Sequence, residues 1–568
     1  MKNLQRYPTR FFHDFQEKLQ PGHLDQWFPK LITQCEKAQT DSDWENIVME
    51  WNETKCHVET HIELASLAFN RNTQDTAAEA EEKRLRETIE PNYKQYCATL
   101  RQHILNSKSR KHLEEKFGSQ YFIQLQLQED AFNPDNIAIE TKLNEILSEY
   151  TKLTGSAEYE VQGQKYPLSH HRKFICSPDV NIRKESLKNF SAWYLQNQQS
   201  LESIYDRCVS LRTDMGIKLG KPNFIPLAYQ KMRRTDYGPT EVARFREQIR
   251  EVVVPLAQKI RERQAQSLQQ PTLQAHNTEF FPEWQVKKIK VGVDGQVAAG
   301  LEVFQKLSPK LGAHFQKIID CDLIDVPART GKAPGAFCTD FGDYRVPFIF
   351  LNSVGEVSDI STLLHESGHA FQAWESRHLD LMELRWPTLE ACEVHSMGME
   401  FLAYPYYETF FSSEDAARFR KYHVAESLLL LPYIAMVDEF QHLVYSGQAS
   451  NAKERSAIWE QLENTYLPNI DYTGLESWKP IRWLRQLHIF KYPFYYIDYA
   501  IALTGALQLW IQSNKDAKSA LENYHQLCAL GGTLPLQAFF KAGNLKIPFE
   551  SGVLKEIVDE VLRIEPLW

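Results

Sequence analysis

The 568-residue sequence predicts a mostly α fold with one small β-sheet, and three observations carry that expectation. From the start to about residue 150, and again from about 180 to 270, apolar residues recur at helical spacing among Gln, Glu, Lys and Arg. Between about 280 and 352 the texture changes to short aromatic and β-branched runs punctuated by Gly and Asp. Helical periodicity then resumes to the C-terminus.

Length exceeds that of one ordinary domain, so several domains or several cores are expected. Hydrophobic residues make up 43% and charged residues 24%, values that exclude the disordered and fibrous classes. Sixty-four basic against seventy-four acidic residues give a charge of −10 with no basic block, which argues against nucleic acid as a partner. The opening "MKNLQRYPTRFFHDFQEKLQ" lacks the apolar run of a secretory signal. The longest apolar run, "LLLLPYIAMV", is broken by Pro432, closed by Asp438 and too short to cross a bilayer. A cytoplasmic protein without membrane contact is therefore expected. Nine scattered cysteines, an odd number with no pair two apart, suggest free thiols rather than disulfides or a cysteine zinc site. Composition leaves the oligomeric state open.

In "TAAEAEEKRLRETIEPNYKQY" charge alternates in sign, the mark of a solvated helix face, and Pro91 ends one helix or starts the next. "HVETH" places His57 and His61 one turn apart, read as surface or core histidines. A second helical zone runs through "NIRKESLKNFSAWYLQNQQS" and "PTEVARFREQIREVVVPLAQKIRERQAQSL". No Gly/Ser linker intervenes, so the expected boundary between an N-terminal helical region, 1–165, and the remainder, 166–568, is soft. "WQVKKIKVGV" and "GAFCTDFGDYRVPFIFLN" read as strands, the second as a hairpin turning at Gly342-Asp343.

The helix that follows carries chemistry. In "DISTLLHESGHAFQAW", with Asp359 as N-cap, Ile360, Leu363, Leu364, Phe371 and Trp374 form one apolar stripe. His365, Glu366 and His369 fall on the other side. Two imidazoles at i and i+4 stack on one face and can bind one Zn²⁺, while Glu366 is placed to accept a proton from a metal-activated water. A catalytic zinc needs a third protein ligand. Downstream, "TLEACEVHSMGMEFLAY" offers Glu393, Ser396 and Glu400 on one helical face, with Glu393 able to complete the site and Glu400 to orient a ligand. Glu390, one turn earlier, competes with Glu393 on spacing alone. Near the C-terminus "HIFKYPFYYIDYA" supplies His488, Tyr492, Tyr495, Tyr496 and Tyr499, groups able to donate hydrogen bonds to a developing oxyanion. Pro493 restricts Tyr492 to a non-helical backbone, so these tyrosines need not share one face.

"HESGH", "EVHSMGME" and "HIFKYPFYYIDYA" together resemble the zinc oligopeptidases that include thimet oligopeptidase and oligoendopeptidase F, nearest the oligoendopeptidase F and Pz-peptidase branch. The resemblance extends from roughly residue 170 to the end. It implies a helical zincin body with the small sheet beside the active-site helix, and two halves facing each other across a deep channel with one zinc on its floor. It implies His365, His369 and Glu393 as ligands, Glu366 as general base, and Ser396 and Glu400 in hydrogen bonds around the site. His488 and Tyr496 become transition-state donors, and Tyr492 and Tyr499 substrate contacts. Relative to thimet oligopeptidase the gap between the histidine and the first tyrosine is one residue shorter, which leaves Tyr495 as an alternative to Tyr496. "GKAPGAFCTDF" resembles the family's edge strand, to which an extended peptide can add, with Gly335 permitting close approach. The implied function is a zinc-dependent endopeptidase acting on short unfolded oligopeptides. The alternatives are a dipeptidase or carboxypeptidase of the same zinc class, and a peptide-binding protein that has lost catalysis.

Overall fold

The computed structural model describes residues 18–568, and residues 1–17, which include most of the stretch read for a secretory signal, lie outside it. The described chain forms two compact units, each assembled from three segments: residues 18–130, 288–416 and 505–546 in the first, and 131–287, 417–504 and 547–568 in the second.

In the first unit, helices Pro21–Lys37, Asp41–Arg71, Glu90–Leu105 and Ser119–Asp130 enclose a core that includes Phe28, Trp51, Ile89 and Tyr121. Thr40 caps the long Asp41–Arg71 helix by accepting from the Asp43 N–H, while the Asp43 carboxylate returns the bond to the Thr40 N–H at 2.8 Å. Pro91 sits at the second position of its helix, where its missing N–H costs nothing.

Three strands follow: β1 (Ile324–Pro327), β2 (Phe337–Phe341) and β3 (Val346–Ser353), in the order β1-β3-β2. The hairpin read at Gly342-Asp343 is present, with β2 antiparallel to β3 from Phe337 opposite Phe350 to Phe341 opposite Val346. β3 is central and its residues 346–351 are all buried. β2 is an edge strand. "WQVKKIKVGV" is not a strand: it makes a single bridge, Ile289 to Phe411, because no strand lies alongside to complete a ladder.

The two helices that matter most are α1 (Val357–Ser376) and α2 (Leu389–Leu402). α1 begins two residues before the expected cap: Glu356 is the N-cap and Asp359 is N3. The Asp359 Oδ2 accepts the N–H groups of Val354, Gly355 and Glu356 at 2.9, 2.6 and 2.9 Å, so its role is to close the capping box and the preceding turn. The apolar stripe of Ile360, Leu363, Leu364, Phe371 and Trp374 is buried as expected. α1 and α2 approach closely at Gly368, where a Cβ would stand 2.6 Å from the His395 carbonyl oxygen and 2.7 Å from the Ser396 Cα.

In the second unit the 39-residue helix Val180–Lys218 packs against helix Ile137–Gly155 and the hairpin Glu158–Val161/Gln164–Pro167. Pro432 lies inside helix Ser413–Tyr445 and does not end it. Among the described residues no helix is long and apolar enough to cross a membrane, and all nine cysteines are free thiols.

Candidate metal centre and active-site residues

The helical spacing of α1 puts His365 and His369 one turn apart, with ring centroids separated by 5.1 Å. α2 brings Glu393 against both: Glu393 Oε2 lies 3.2 Å from His365 Nε2 and 3.6 Å from His369 Nε2. The three candidate ligand atoms fall within 4.8 Å of one another, the single such group of His, Cys, Asp or Glu among the described residues. Bonds of about 2.0–2.2 Å in a tetrahedral site separate neighbouring ligand atoms by roughly 3.3–3.6 Å. The two imidazoles and the carboxylate therefore fit a zinc ion. His369 Nδ1 is buried without a hydrogen-bond partner. Of the two glutamates that spacing left open, Glu393 is the one in this group, while Glu390 is fully buried elsewhere on α2.

Partners around the group orient it. Glu400 Oε1 lies 2.8 Å from His365 Nδ1, and Tyr407 donates its hydroxyl to the Glu400 main-chain carbonyl at 3.0 Å. Ser396 donates to Glu393 Oε2 at 2.9 Å. Burial opposes charge on His365, but the Glu393 and Glu400 carboxylates beside it outweigh burial and hold its pKa well above the usual imidazole range. Burial likewise works against the Glu393 carboxylate, yet the His365 hydrogen bond and the two imidazoles bring it down to about 2. Burial lowers His369 to about 4. Glu366 is buried, which pushes its carboxyl up to about 7, and its Oε2 makes no hydrogen bond.

Two features here had no sequence signal. Trp386 donates its indole N–H to Asp340 at the end of β2 and stands with its ring 6.5 Å from that of His369. Gly368 is required by the α1–α2 approach, which no periodicity reveals. Gly335 lies two residues before β2 with φ +99°, and a Cβ there would meet nothing within 4 Å, so its backbone conformation rather than a tight contact calls for glycine. His57 and His61 stand outside the metal group: His57 Nδ1 pairs with Asp343 Oδ2 at 2.7 Å, and His61 Nδ1 bonds the His57 carbonyl at 2.9 Å.

The C-terminal aromatic residues gather in the second unit around His488. Its ring centroid lies 4.6 Å from that of Tyr496, 5.9 Å from Tyr495, 6.0 Å from Tyr499 and 6.3 Å from Tyr492. Tyr492 is 51% exposed, whereas Tyr495, Tyr496 and Tyr499 are half-buried. Burial lowers His488 to about 4 and raises the Tyr496 phenol well above its usual value. Tyr492 follows the short helix Leu487–Lys491 with φ −133°, Tyr495 and Tyr496 lie in a turn, and Tyr499 lies in the first turn of helix Ile497–Lys515. The tyrosines thus occupy three backbone settings, as Pro493 implied.

Phe494 anchors that turn with φ +67°, an unfavourable setting for an aromatic residue. Its N–H donates to Gln441 Oε1 at 2.9 Å and its carbonyl accepts from Arg234 Nη2 at 2.6 Å, while the same guanidinium nitrogen pairs with Asp498 Oδ1 at 2.5 Å.

Residues 174–559 match the family model "Peptidase family M3", and residues 17–132 match "Peptidase M3 N-terminal domain". The chain belongs to peptidase family M3. Members of M3 are metallo-oligopeptidases, and both the histidine–glutamate group and the His488 segment fall inside the matched range. Pz peptidase A, solved with an inhibitor, is similar at 34% identity and TM-score 0.91, covering 97% of this chain and 98% of that one. A solved structure assigned as oligoendopeptidase F is similar at 36% identity and TM-score 0.91, covering 98% of both chains. An oligoendopeptidase F homolog from Borreliella burgdorferi is 26% identical over 240 residues, a match that spans 39% of this M3 chain and 39% of that relative's own length.

Proposed function

We propose that this M3 protein is a cytoplasmic, zinc-dependent endopeptidase that hydrolyses short unfolded oligopeptides. The observation that carries the reading is the convergence of His365 Nε2 and His369 Nε2 on Glu393 Oε2, at 3.2 and 3.6 Å, with Glu366 between the two histidines in sequence. His365, His369 and Glu393 would hold one zinc per chain. When bound, zinc supplies Lewis-acid polarisation of a peptide carbonyl and of the attacking water.

The chain's own groups do the rest. Glu366 takes a proton from the attacking water at its carboxylate and delivers it to the leaving amine nitrogen as the C–N bond breaks. Glu400 fixes the His365 ring through Nδ1, and Ser396 holds the Glu393 carboxylate. By the family resemblance, His488 and Tyr496 donate hydrogen bonds to the oxygen on which negative charge develops, Tyr492 and Tyr499 touch substrate, and the backbone around Gly335 and edge strand β2 receives an extended peptide.

The test is a zinc determination combined with cleavage of an internally quenched peptide blocked at both ends. Cleavage that disappears on chelation and returns with zinc is the expected result. Failure to cleave the blocked peptide while cleaving its free-ended form would overturn the endopeptidase reading in favour of an exopeptidase.

A further inference from the structure

In the second unit, three side chains form a directed hydrogen-bond chain that ends on the His488 imidazole. Tyr433, on helix Ser413–Tyr445, donates its hydroxyl to Gln486 Oε1 at 2.8 Å, and Gln486 Nε2 lies 2.7 Å from His488 Nδ1. An amide nitrogen only donates, so His488 Nδ1 must be the acceptor. The imidazole, lowered to about 4 by burial, is neutral near pH 7 and carries one N–H. With Nδ1 accepting, that hydrogen sits on Nε2. Tyr433 also sets its ring edge-on to Tyr496, with centroids 6.0 Å apart and planes at 87°. The same tyrosine therefore supports both groups read as donors.

We propose that Gln486 and Tyr433 are positioning residues that lock His488 as its Nε2–H tautomer, so that the ring presents a donor to the substrate oxygen. The opposite tautomer would present a lone pair to an oxygen gaining negative charge and would repel it. The inference rests on the reading of His488 as a transition-state donor. It adds two residues outside the "HIFKYPFYYIDYA" segment, and it assigns a proton to one atom.

Two readouts test it on the zinc-loaded, full-length protein. The first is ¹⁵N NMR of histidine-labelled enzyme, with the His488 signals identified by their loss in His488→Ala. The hydrogen is expected on Nε2 in the wild type and on Nδ1 in Gln486→Glu, whose carboxylate accepts where the amide donated. The second is turnover of the end-blocked quenched peptide. Gln486→Leu and Gln486→Glu should each lower kcat roughly 10- to 100-fold while KM moves less than about threefold. Tyr433→Phe should lower kcat less. In a His488→Ala background the Gln486→Leu change should cost less than about threefold, because the group it positions is gone. A wild-type hydrogen on Nδ1, or an equal Gln486→Leu loss in both backgrounds, would overturn the proposal. Wild-type kcat in His488→Ala would instead refute the donor reading itself. A large His488→Ala loss beside an unaffected Gln486→Glu would refute only the positioning role.

Discussion

Glu400 Oε1 stands 2.8 Å from His365 Nδ1, across the contact between α1 and α2. A carboxylate in that place receives the Nδ1–H, so that Nε2, on the side of Glu393, is the nitrogen left to bind a metal ion. Glu400→Ala should therefore weaken zinc affinity roughly 10- to 100-fold without changing the ligand count. Competition with a chelator of known affinity measures this, and unchanged affinity would remove Glu400 from the site.

Glu366 lies beside the ligands without joining the group that His365, His369 and Glu393 form. Glu366→Gln is expected to keep about one zinc per chain and to lose peptide hydrolysis by roughly 10²- to 10⁴-fold. Metal analysis and turnover of the same preparation check the two halves of that statement together. Persistent hydrolysis by a pure mutant would contradict the general-base role.

Gly368 has the His395 carbonyl oxygen 2.6 Å from where a Cβ would be. Both neighbours are helix backbone, which cannot turn aside as a side chain can. Gly368→Ala should destabilise the protein by roughly 1–3 kcal/mol and, by parting α1 from α2, should loosen zinc binding. Urea unfolding with and without zinc separates the two effects.

Asp325 on β1 is surrounded by cations: Arg71 Nε at 2.8 Å, Arg329 Nη1 at 2.7 Å and Lys332 Nζ at 2.9 Å, with the Lys332 side chain fully buried. Burial opposes ionisation of Asp325, but the three cations outweigh it and its pKa is lowered. The folded value is below the unfolded one, so this stabilisation is present above about pH 4 and is lost only as pH falls toward the folded value. At neutral pH, Asp325→Asn leaves the buried Lys332 ammonium on the Asp325 and Pro327 main-chain carbonyls without its counter-charge and should cost roughly 3–5 kcal/mol. A companion Lys332→Met should recover much of that loss in denaturant titrations.

His276 and His442 are held neutral, each lowered to about 4 chiefly by burial. The unfolded chain takes up protons at these positions below about pH 6.5, while the folded chain does not until about pH 4. Their contribution to stability is thus present above about pH 6.5 and shrinks as pH falls toward 4. The melting temperature should drop steadily across that window, and a flat profile would contradict their neutral burial.

Much of this arrangement was legible from residue order because it depends on local periodicity. The i, i+4 histidines, the buried stripe from Ile360 to Trp374 and the β2–β3 hairpin each follow from spacing within one element. Errors arose where a local pattern lacked its tertiary partner. "WQVKKIKVGV" alternates like a strand but has no neighbouring strand, and Asp359 resembles an N-cap although Glu356 caps the helix and Asp359 is its third residue.

Residue order alone was enough to nominate the candidate groups: two imidazoles one turn apart on α1 with a carboxylate between them, carboxylates on α2, and a histidine among tyrosines near the C-terminus. Packing between elements set the relations among them. Glu393 rather than Glu390 meets the histidines because α1 and α2 close together at Gly368. His488 takes its hydrogen-bond direction from Gln486 and Tyr433, one of which lies 55 residues before it on another helix. Periodicity reports which side of an element a residue occupies. It carries no information about which side of another element will be packed against it, and that packing sets the distances on which metal binding and proton placement depend.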